Sequence, residues 1–349
     1  MKRSSPWLRA ALSVLLLGAA LAATLAEEPS REPQPRGLTL LSGADDPLLI
    51  NKLYKTPHRL AGGIAPDGAI SVNAEWEKRG KTGVWYIEQQ RYGADLVQAG
   101  VVMKDDSLID QGMKVLAWGF EQQGADGGFP GVGDPHHSAS FFLEAASRSV
   151  LLLEQAHLTK YLATAQAWKP KIAAMGRWLN RPEIAEKGRA KALDPFTHRF
   201  YLLAAGYSEA AAATGEAEFQ TWAHNYAVDG LGRQQPDGTN PERGGFDASY
   251  QGVGVVFASR YYLQCPDEAI RAALKTMIAK ALDKEMTMID PNGEVSLEGS
   301  TRTPLETGRS GKPKTMDYKV LLMALVSGEQ VTGDPKYREV AERVARHFK

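Results

Sequence analysis

Three residues in the middle of the chain are of the types that move protons next to a carboxylate: His198, Arg243 and Tyr250. A histidine titrates near neutral pH and can serve as a general base. An arginine stays charged and binds a carboxylate through two parallel hydrogen bonds. A tyrosine hydroxyl can protonate a leaving oxygen, or can itself act as the base. Such a set could remove the proton next to a sugar carboxylate and expel the neighbouring glycosidic oxygen, which is a β-elimination.

The catalytic candidates lie in or near three unusual segments that each run into a helical pattern: 127–142, 192–201 and 235–254. The start of a helix favours an anionic ligand because its backbone N–H groups are unpaired there. If these segments share one face, their polar residues would line one mouth. The candidate substrate-binding residues are Asp134, His136, His137, Arg199, Asp247 and Gln251, with Arg302 from a later loop.

Apolar residues recur with helical spacing along nearly the whole chain, and strand-like alternation is scarce. Short joints, such as those at 214–216 and 332–335, make the flanking helices antiparallel neighbours. The sequence therefore predicts an all-α protein of paired helices. The predicted helices cover 84–103, 107–123, 138–157, 160–180, 196–214, 216–229, 248–264, 267–284, 317–333 and 335–348.

The longer joints show a hidden repeat. Asp or Asn precedes Gly at positions 67, 126, 237 and 292, so the turns are spaced by one or two units of about 55 residues. A unit of two helices and one long loop is typical of stacked αα-hairpins. Known linear arrays have shorter units without long glycine-rich loops on one side. We therefore expect an (α/α) toroid, an incomplete barrel of helical hairpins, with residues 43–349 as a single domain.

Residues 190–265 resemble the alginate lyases and related uronate-polymer lyases that have an (α/α) toroid. In that family a helix starts with an Asn-Asn-His-x-Tyr-Trp type of motif, and an arginine and a catalytic tyrosine follow at the start of another inner helix. This chain has a comparable series with Arg243 and Tyr250 placed 45 and 52 residues after the histidine: Thr197-His198-Arg199-Phe200-Tyr201, Phe219, Trp222, Arg243 and Tyr250.

The resemblance implies a lyase without a cofactor that cleaves an acidic polysaccharide or oligosaccharide. His198 and Tyr250 would transfer the protons, and Arg243 would neutralise the substrate carboxylate. Thr197 stands where the family has asparagine, so that neutralising role would fall to Arg243 alone or to His136 and His137. Alginate specificity is consequently not implied. The sequence leaves open which uronate polymer is cut, endo or exo action, syn or anti elimination, and the oligomeric state.

Other interpretations of the same residues remain open. A toroidal glycoside hydrolase would use paired carboxylates, for which Asp134, Asp247 and Glu242 are candidates. A non-catalytic glycan-binding protein would use the same mouth for recognition alone. His198 could instead cap its helix, and Tyr250 could be a core aromatic. No metal is predicted, because the histidines at 136 and 137 lack a further spaced ligand cluster.

The N-terminus has the pattern of an export signal. Lys2, Arg3 and Arg9 precede an apolar stretch of signal-peptide length, so residues 1–26 are predicted to be a signal peptide and residues 27–42 a flexible mature N-terminus. We expect a periplasmic or secreted protein without a membrane anchor after cleavage. Lys+Arg and Asp+Glu both number 41, which does not favour nucleic acid as a partner. Cys265 is the only cysteine, which excludes an internal disulfide.

Overall fold

The helical pattern of the sequence becomes a series of helical hairpins. The computed structural model describes residues 46–55, 63–70, 85–188, 195–308 and 312–348. The predicted signal peptide (1–26) and mature N-terminus (27–42) lie outside the described residues. In chain order the elements are α1 (Pro47–Ile50), a π-helical turn π1 (Asn51–Lys55), α2 (Tyr86–Gln89), α3 (Tyr92–Met103), α4 (Asp106–Glu121), α5 (Pro135–Gln155), α6 (Thr159–Leu179), α7 (Pro182–Gly188), α8 (Thr197–Thr214), α9 (Ala217–Leu231), α10 (Ala248–Gln264), α11 (Glu268–Met286), α12 (Tyr318–Thr332) and α13 (Lys336–His347).

The longer helices form two concentric layers. Each inner helix packs against the outer helix that follows it in the chain, which gives the pairs α3–α4, α5–α6, α8–α9, α10–α11 and α12–α13. The inner helices also contact one another in the order α3, α5, α8, α10, α12. The turn π1 contacts both α12 and α3, so it closes the ring. The predicted all-α (α/α) toroid is confirmed, and all described residues belong to one compact unit.

Aspartates start many of these helices. Asp105 caps α4 and Asp267 caps α11, and each side chain accepts hydrogen bonds from backbone N–H groups of the first turn. Asp134, Asp247 and Asp317 do the same at the inner helices α5, α10 and α12. An N-cap carboxylate pairs donors that the helix leaves unsatisfied. These caps fix where α5, α10 and α12 begin, and therefore where the side chains of these three helices at the mouth of the ring lie.

The repeated Asx-Gly turns brace the hairpins against the outer layer. Gly68, Gly127, Gly238 and Gly293 all have positive φ. A Cβ on any of them would lie 2.2–2.6 Å from a backbone oxygen of an outer helix: Lys114, Ala174, Lys280 or Arg343. Only glycine permits this approach. The turn repeat in the sequence is therefore a repeated contact between a mouth loop and the outer helix of the next hairpin.

The core lies between the two layers and is made mostly of alanine, leucine and aromatic side chains. Within the described ranges, pairing between extended segments is limited to isolated bridges, which include Ile64–Ile70 and Ile289–Val295 in the turn loops. No helix in the described part of the chain is long and apolar enough to cross a bilayer.

Candidate active site

A cavity of about 690 Å³ opens where the inner helices begin. Its walls come from α2, α3, α5, α8, α10 and α12, and from the loop segments on either side of residues 309–311. His137, His198 and Tyr250, at the starts of three different inner helices, all line it. The expectation that the long loops gather at one mouth is therefore met for these three side chains.

His198 is held by a buried carboxylate. Its Nδ1 lies 2.8 Å from Glu242 Oε1, and its backbone N–H donates to the same oxygen at 3.1 Å. Because a carboxylate accepts, Nδ1 carries the proton and Nε2 the lone pair in the neutral ring. Burial lowers the pKa of His198, while Glu242 acts in the opposite direction. A neutral, oriented imidazole is the form that a general base requires.

Tyr250 lies directly beside His198. Their ring centroids are 4.9 Å apart, so one sugar ring can contact both side chains. The Tyr250 hydroxyl is 3.0 Å from Lys314 Nζ, and the guanidinium carbon of Arg302 lies 3.6 Å from the centre of the tyrosine ring. Two cations therefore border the phenol, and both stabilise negative charge on its oxygen.

Arg302 connects the two catalytic candidates. Its NH1 donates to Glu242 Oε2 at 2.8 Å, and its Nε donates to Glu306 at 3.2 Å. Glu306 also pairs with Lys314. Hydrogen bonds and ion pairs therefore connect His198 with Tyr250. This series of contacts runs from His198 through Glu242, Arg302, Glu306 and Lys314 to the Tyr250 hydroxyl. This network links the two proton-transfer groups, with Glu242 in contact with His198 and Lys314 in contact with Tyr250.

Asp247 sets the position of this cluster. One carboxylate oxygen accepts from the N–H groups of Ser249 and Tyr250, and the other accepts from Arg302 and Thr303 at 2.9 and 2.6 Å. The side chain is fully buried. Asp247 was predicted to bind substrate, and the structure instead uses it to tie the start of α10 to the 302–303 loop.

The opposite wall carries a second polar group. His137 Nε2 lies 3.8 Å from Glu88, and its ring packs edge-on against Phe141 at 4.9 Å. Arg91 pairs with Glu88 at 2.9 Å and stacks on Phe141. This wall can therefore offer both donors and an acceptor to a sugar that lies between it and Tyr250.

The described walls contain more positive than negative groups. The cationic side chains are Arg91, Arg148, Arg199, Arg260, Arg302 and Lys314, and the carboxylates are Glu88, Asp95, Glu144 and Asp317. The whole chain has no net charge. Glu242 and Glu306 lie outside this lining and pair with Arg302 and Lys314, so the cavity offers cationic hydrogen-bond donors to an anion rather than a large net positive charge.

Arg243 does not reach this cavity. Its side chain is 57% exposed at the rim, where Nε pairs with Glu306 at 2.9 Å. The prediction that Arg243 contacts the substrate carboxylate beside Tyr250 is therefore corrected, because Arg302 and Lys314 occupy that position. Arg243 has a φ of 54°, and its N–H bonds Pro195, so its backbone holds the rim loop to the segment before α8.

The other predicted binding residues divide into two groups. His137, Arg199 and Arg302 line the cavity. Gln251 lies outside it, because its buried amide bonds the backbone of Gly238, Asn240 and Ala281. Asp134 caps α5 and lies 3.8 Å from Arg199. His136 is buried against Gly188 and is not part of the lining.

Sequence reasoning missed Lys314, Glu306 and the deeper charged residues Glu144, Arg148 and Arg260. Lys314 stands in a polar loop without a motif, so no local signal distinguishes it. Glu144 and Arg148 have the spacing of an ordinary surface ion pair on a helix. Only their position on an inner helix places them in the cavity. Among the described residues, no group of three or more metal-ligating side chains is close enough to hold an ion.

Comparison with known proteins gives low similarity. No family model and no curated protein matches the sequence. The Lin0763 protein from Listeria innocua is 15% identical with a TM-score of 0.42, over 75% of this chain and 72% of that one. The GH76A α-1,6-mannanase from Salegentibacter sp. HEL1_6 is 12% identical with a TM-score of 0.37, over 86% of this chain and 98% of that one. The chemistry of the site must therefore be argued from its own residues.

Proposed function

We propose that this protein is a polysaccharide lyase that cleaves a uronic-acid-containing chain by β-elimination. One observation carries the proposal: an oriented imidazole and a phenol flanked by cations lie side by side in a cavity lined by further cationic side chains. The same three features suit a single reaction. They also agree with the resemblance of residues 190–265 to uronate-polymer lyases.

The proton next to a uronate carboxylate is weakly acidic as long as that carboxylate keeps its full charge. Arg302 and Lys314 beside Tyr250, with Arg199 next to His198, provide positive charge for the carboxylate and for the enolate-like intermediate. Fixed donors in a poorly hydrated site stabilise such charge by about 3–4 kcal/mol per well-placed group. Charge stabilisation of this kind makes removal of the proton possible near neutral pH.

In the proposed step, His198 Nε2 takes the proton from the carbon next to the carboxylate. The electron pair of that C–H bond forms a carbon–carbon double bond as the bond to the glycosidic oxygen breaks. The Tyr250 hydroxyl gives its proton to the departing oxygen, and Lys314 stabilises the phenolate that remains. The products are an unsaturated uronate and a new chain end. The alternative assignment, in which Tyr250 is also the base, needs the same cluster.

The hydrolase alternative fits these residues less well. Of its three candidate carboxylates, Asp247 accepts backbone hydrogen bonds on both oxygens, and Glu242 is shared by His198 and Arg302. Asp134 caps α5. None of the three lines the cavity. A hydrolase would need an acid and a base that both face the scissile bond.

The decisive experiment incubates the protein with a panel of uronate polymers and follows absorbance at about 235 nm, where the conjugated product absorbs. Tyr250→Phe should lower turnover at least about a hundredfold, because one positioned proton-transfer group is lost. His198→Ala should be equally severe if histidine is the base. Retained activity in His198→Ala would move the base role to Tyr250.

Tyr262→Phe is the matched control. Tyr262 lies on the same helix, but its hydroxyl contacts Arg271 and it does not line the cavity. This variant should keep wild-type turnover. Full activity of Tyr250→Phe would overturn the proposal. So would wild-type products that carry new reducing ends without the chromophore, which is the signature of hydrolysis.

A further inference from the structure

The bore of the helical ring is narrowed below the candidate active site by two aromatic residues. Phe141 on α5 and Phe257 on α10 lie with ring centroids 6.0 Å apart. These helices are not neighbours in the ring, because α8 lies between them. The two rings therefore meet across the bore, and both line the cavity from below.

A charged cluster closes the bore further down. One oxygen of Glu144 accepts from Arg260 NH1 at 2.5 Å and from Arg148 Nε at 2.8 Å. Arg148 also donates to Gln98 at 2.7 Å and to Asp95 at 3.2 Å. The cluster thus ties α3, α5 and α10 together. Because its side chains bridge three inner helices and line the cavity, the cluster forms a floor.

The distance from mouth to floor is short. Arg260 follows Tyr250 by ten residues on one helix, which corresponds to about 15 Å. Side chains of a helix lean toward its N-terminus, so the arginine head groups come back toward the mouth. The cavity volume of about 690 Å³ is in the usual range of about 300–1,000 Å³ for small-molecule sites. The site is a blind pocket of limited depth.

We propose that the pocket receives the end of a uronate chain and that the protein is an exo-acting lyase that releases short products. This inference rests on the proposed function. His198 and Tyr250 stand at the mouth, and the enclosed space beside them continues to Glu144 and Arg260, so the sugar units on one side of the cleaved bond fit there. A chain that continued in that direction would meet Phe141, Phe257 and the Glu144–Arg260 pair. Only a chain end can be accommodated there.

The test follows wild-type protein on polymannuronate and polygalacturonate, with product absorbance and polymer size measured in the same samples. Exo action should give short products from the first turnovers, with one double bond formed for each bond cut, while the remaining polymer keeps nearly its starting length. A rapid fall in mean polymer length, with short products only late in the reaction, would overturn the inference. Products with reducing ends and no chromophore would refute the lyase reaction, yet their lengths would still decide between end-cutting and internal cutting.

The floor can be tested by variants. Phe257→Ala should let the chain end sit deeper and shift the main product to a longer oligosaccharide, and Phe257→Leu should do so to a smaller extent with less effect on folding. An unchanged product length in a folded variant would overturn the role of Phe257 as floor. Should no polymer be cleaved, calorimetry with oligouronates of increasing length decides. Affinity that stops rising at short lengths supports a blind pocket, and affinity that rises steadily with length refutes it.

Discussion

Replacement of Glu242 by glutamine tests whether this buried carboxylate orients and tunes the proposed base. Glu242 is 1% exposed, and it accepts from His198 Nδ1 at 2.8 Å and from Arg302 NH1 at 2.8 Å. A hydrogen bond to a charged group contributes about 1.5–3 kcal/mol. Loss of one such bond from the transition state corresponds to about a 10- to 100-fold fall in kcat/KM. We expect that fall at the pH optimum.

The pH profile should change as well. Glu242 raises the pKa of His198 against the lowering effect of burial, so the variant should have a still lower pKa at this histidine. A general base works in its neutral form, and a lower pKa extends that form to more acidic pH. The acid limb of kcat/KM should therefore move to lower pH while the plateau drops.

The assay is kcat/KM for the unsaturated product across the acidic and neutral range, with Glu306→Gln as the matched control. Glu306 contacts Arg302 and Lys314 but not His198, so its variant should leave the position of the acid limb nearly unchanged. An undiminished plateau in Glu242→Gln, or an acid limb that moves to higher pH, would refute the reasoning. A loss of thermal stability without a shifted limb would assign Glu242 a structural role only.

Two further substitution pairs separate local roles. Arg302→Lys should lower kcat/KM at least about tenfold, because a lysine ammonium cannot both stack on the tyrosine ring and keep the planar two-pronged contact with the carboxylates. Arg243→Lys at the exposed rim should change kcat/KM by less than about twofold. Equal losses in the two variants would place Arg243 back in the active site. In urea unfolding, Gly127→Ala should lower the free energy of unfolding by about 2 kcal/mol or more beyond the loss in Gly215→Ala. Both glycines have positive φ, but only at Gly127 would a Cβ lie 2.4 Å from a backbone oxygen. Similar losses of stability in the two variants would show that φ alone matters.

Much of the architecture could be predicted because the start, the end and the apolar face of each helix depend on residues that are close together in the sequence. The apolar period and the short joints predicted the hairpins, and the helices predicted to begin at residues 107 and 267 begin at Asp106 and Glu268. The observed bounds of several helices differ from the predicted bounds by a few residues. The predicted helix 84–103 is interrupted after Gln89, which leaves the short α2 in front of α3.

The element that closes the ring was not predicted from the sequence pattern, although the toroid itself was. That element is π1, a single five-residue turn that is too short to show a helical period. Its buried Leu53 and Tyr54 are an ordinary apolar pair when read in sequence. What makes them a ring member is contact with α12, more than 260 residues later in the chain.

The same reasoning explains why the sequence indicated His198 and Tyr250 as catalytic candidates but indicated Arg243, and not Arg302, as the arginine beside them. The first two stand at helix starts after conspicuous loops, which is a local signal. Arg302 lies in a loop whose course is set by the distant carboxylate of Asp247 through the N–H groups of Arg302 and Thr303. Nothing near position 302 in the sequence shows that contact. Arg243, closer in sequence to Tyr250, consequently looked like the better candidate.

Glu209 is a titratable group in the inner layer that the proposed reaction does not use. It is fully buried on α8, and within the described part of the chain neither of its carboxylate oxygens has a hydrogen-bond partner. Burial, and then the charge of Glu144, raises the pKa of Glu209 well above its usual range. The folded protein therefore holds Glu209 protonated at a pH where the unfolded chain releases that proton.

The sign of the effect on stability follows from proton linkage. Above about pH 4.3, the usual value for a free glutamate, the unfolded chain binds fewer protons at this site than the folded protein. The free energy of unfolding of the wild type then falls by about 1.4 kcal/mol for each pH unit until the folded group also ionises. Glu209→Gln cannot ionise, so it avoids this loss. The variant should match the wild type near the acidic end and become more stable than it as pH rises.

Urea unfolding at about pH 4 and about pH 7 measures this difference, with the exposed Glu218→Gln on α9 as control. The control should change the free energy of unfolding by less than about 1 kcal/mol at both pH values, because an exposed ion pair contributes little. If Glu209→Gln were instead less stable than the wild type at neutral pH, the carboxylate would have to be ionised and paired in the folded protein. The cluster of Glu144, Arg148 and Arg260 at the floor of the pocket would then have an additional negative charge beside it. That charge would repel an acidic chain end, which would argue against the binding of such an end at the floor.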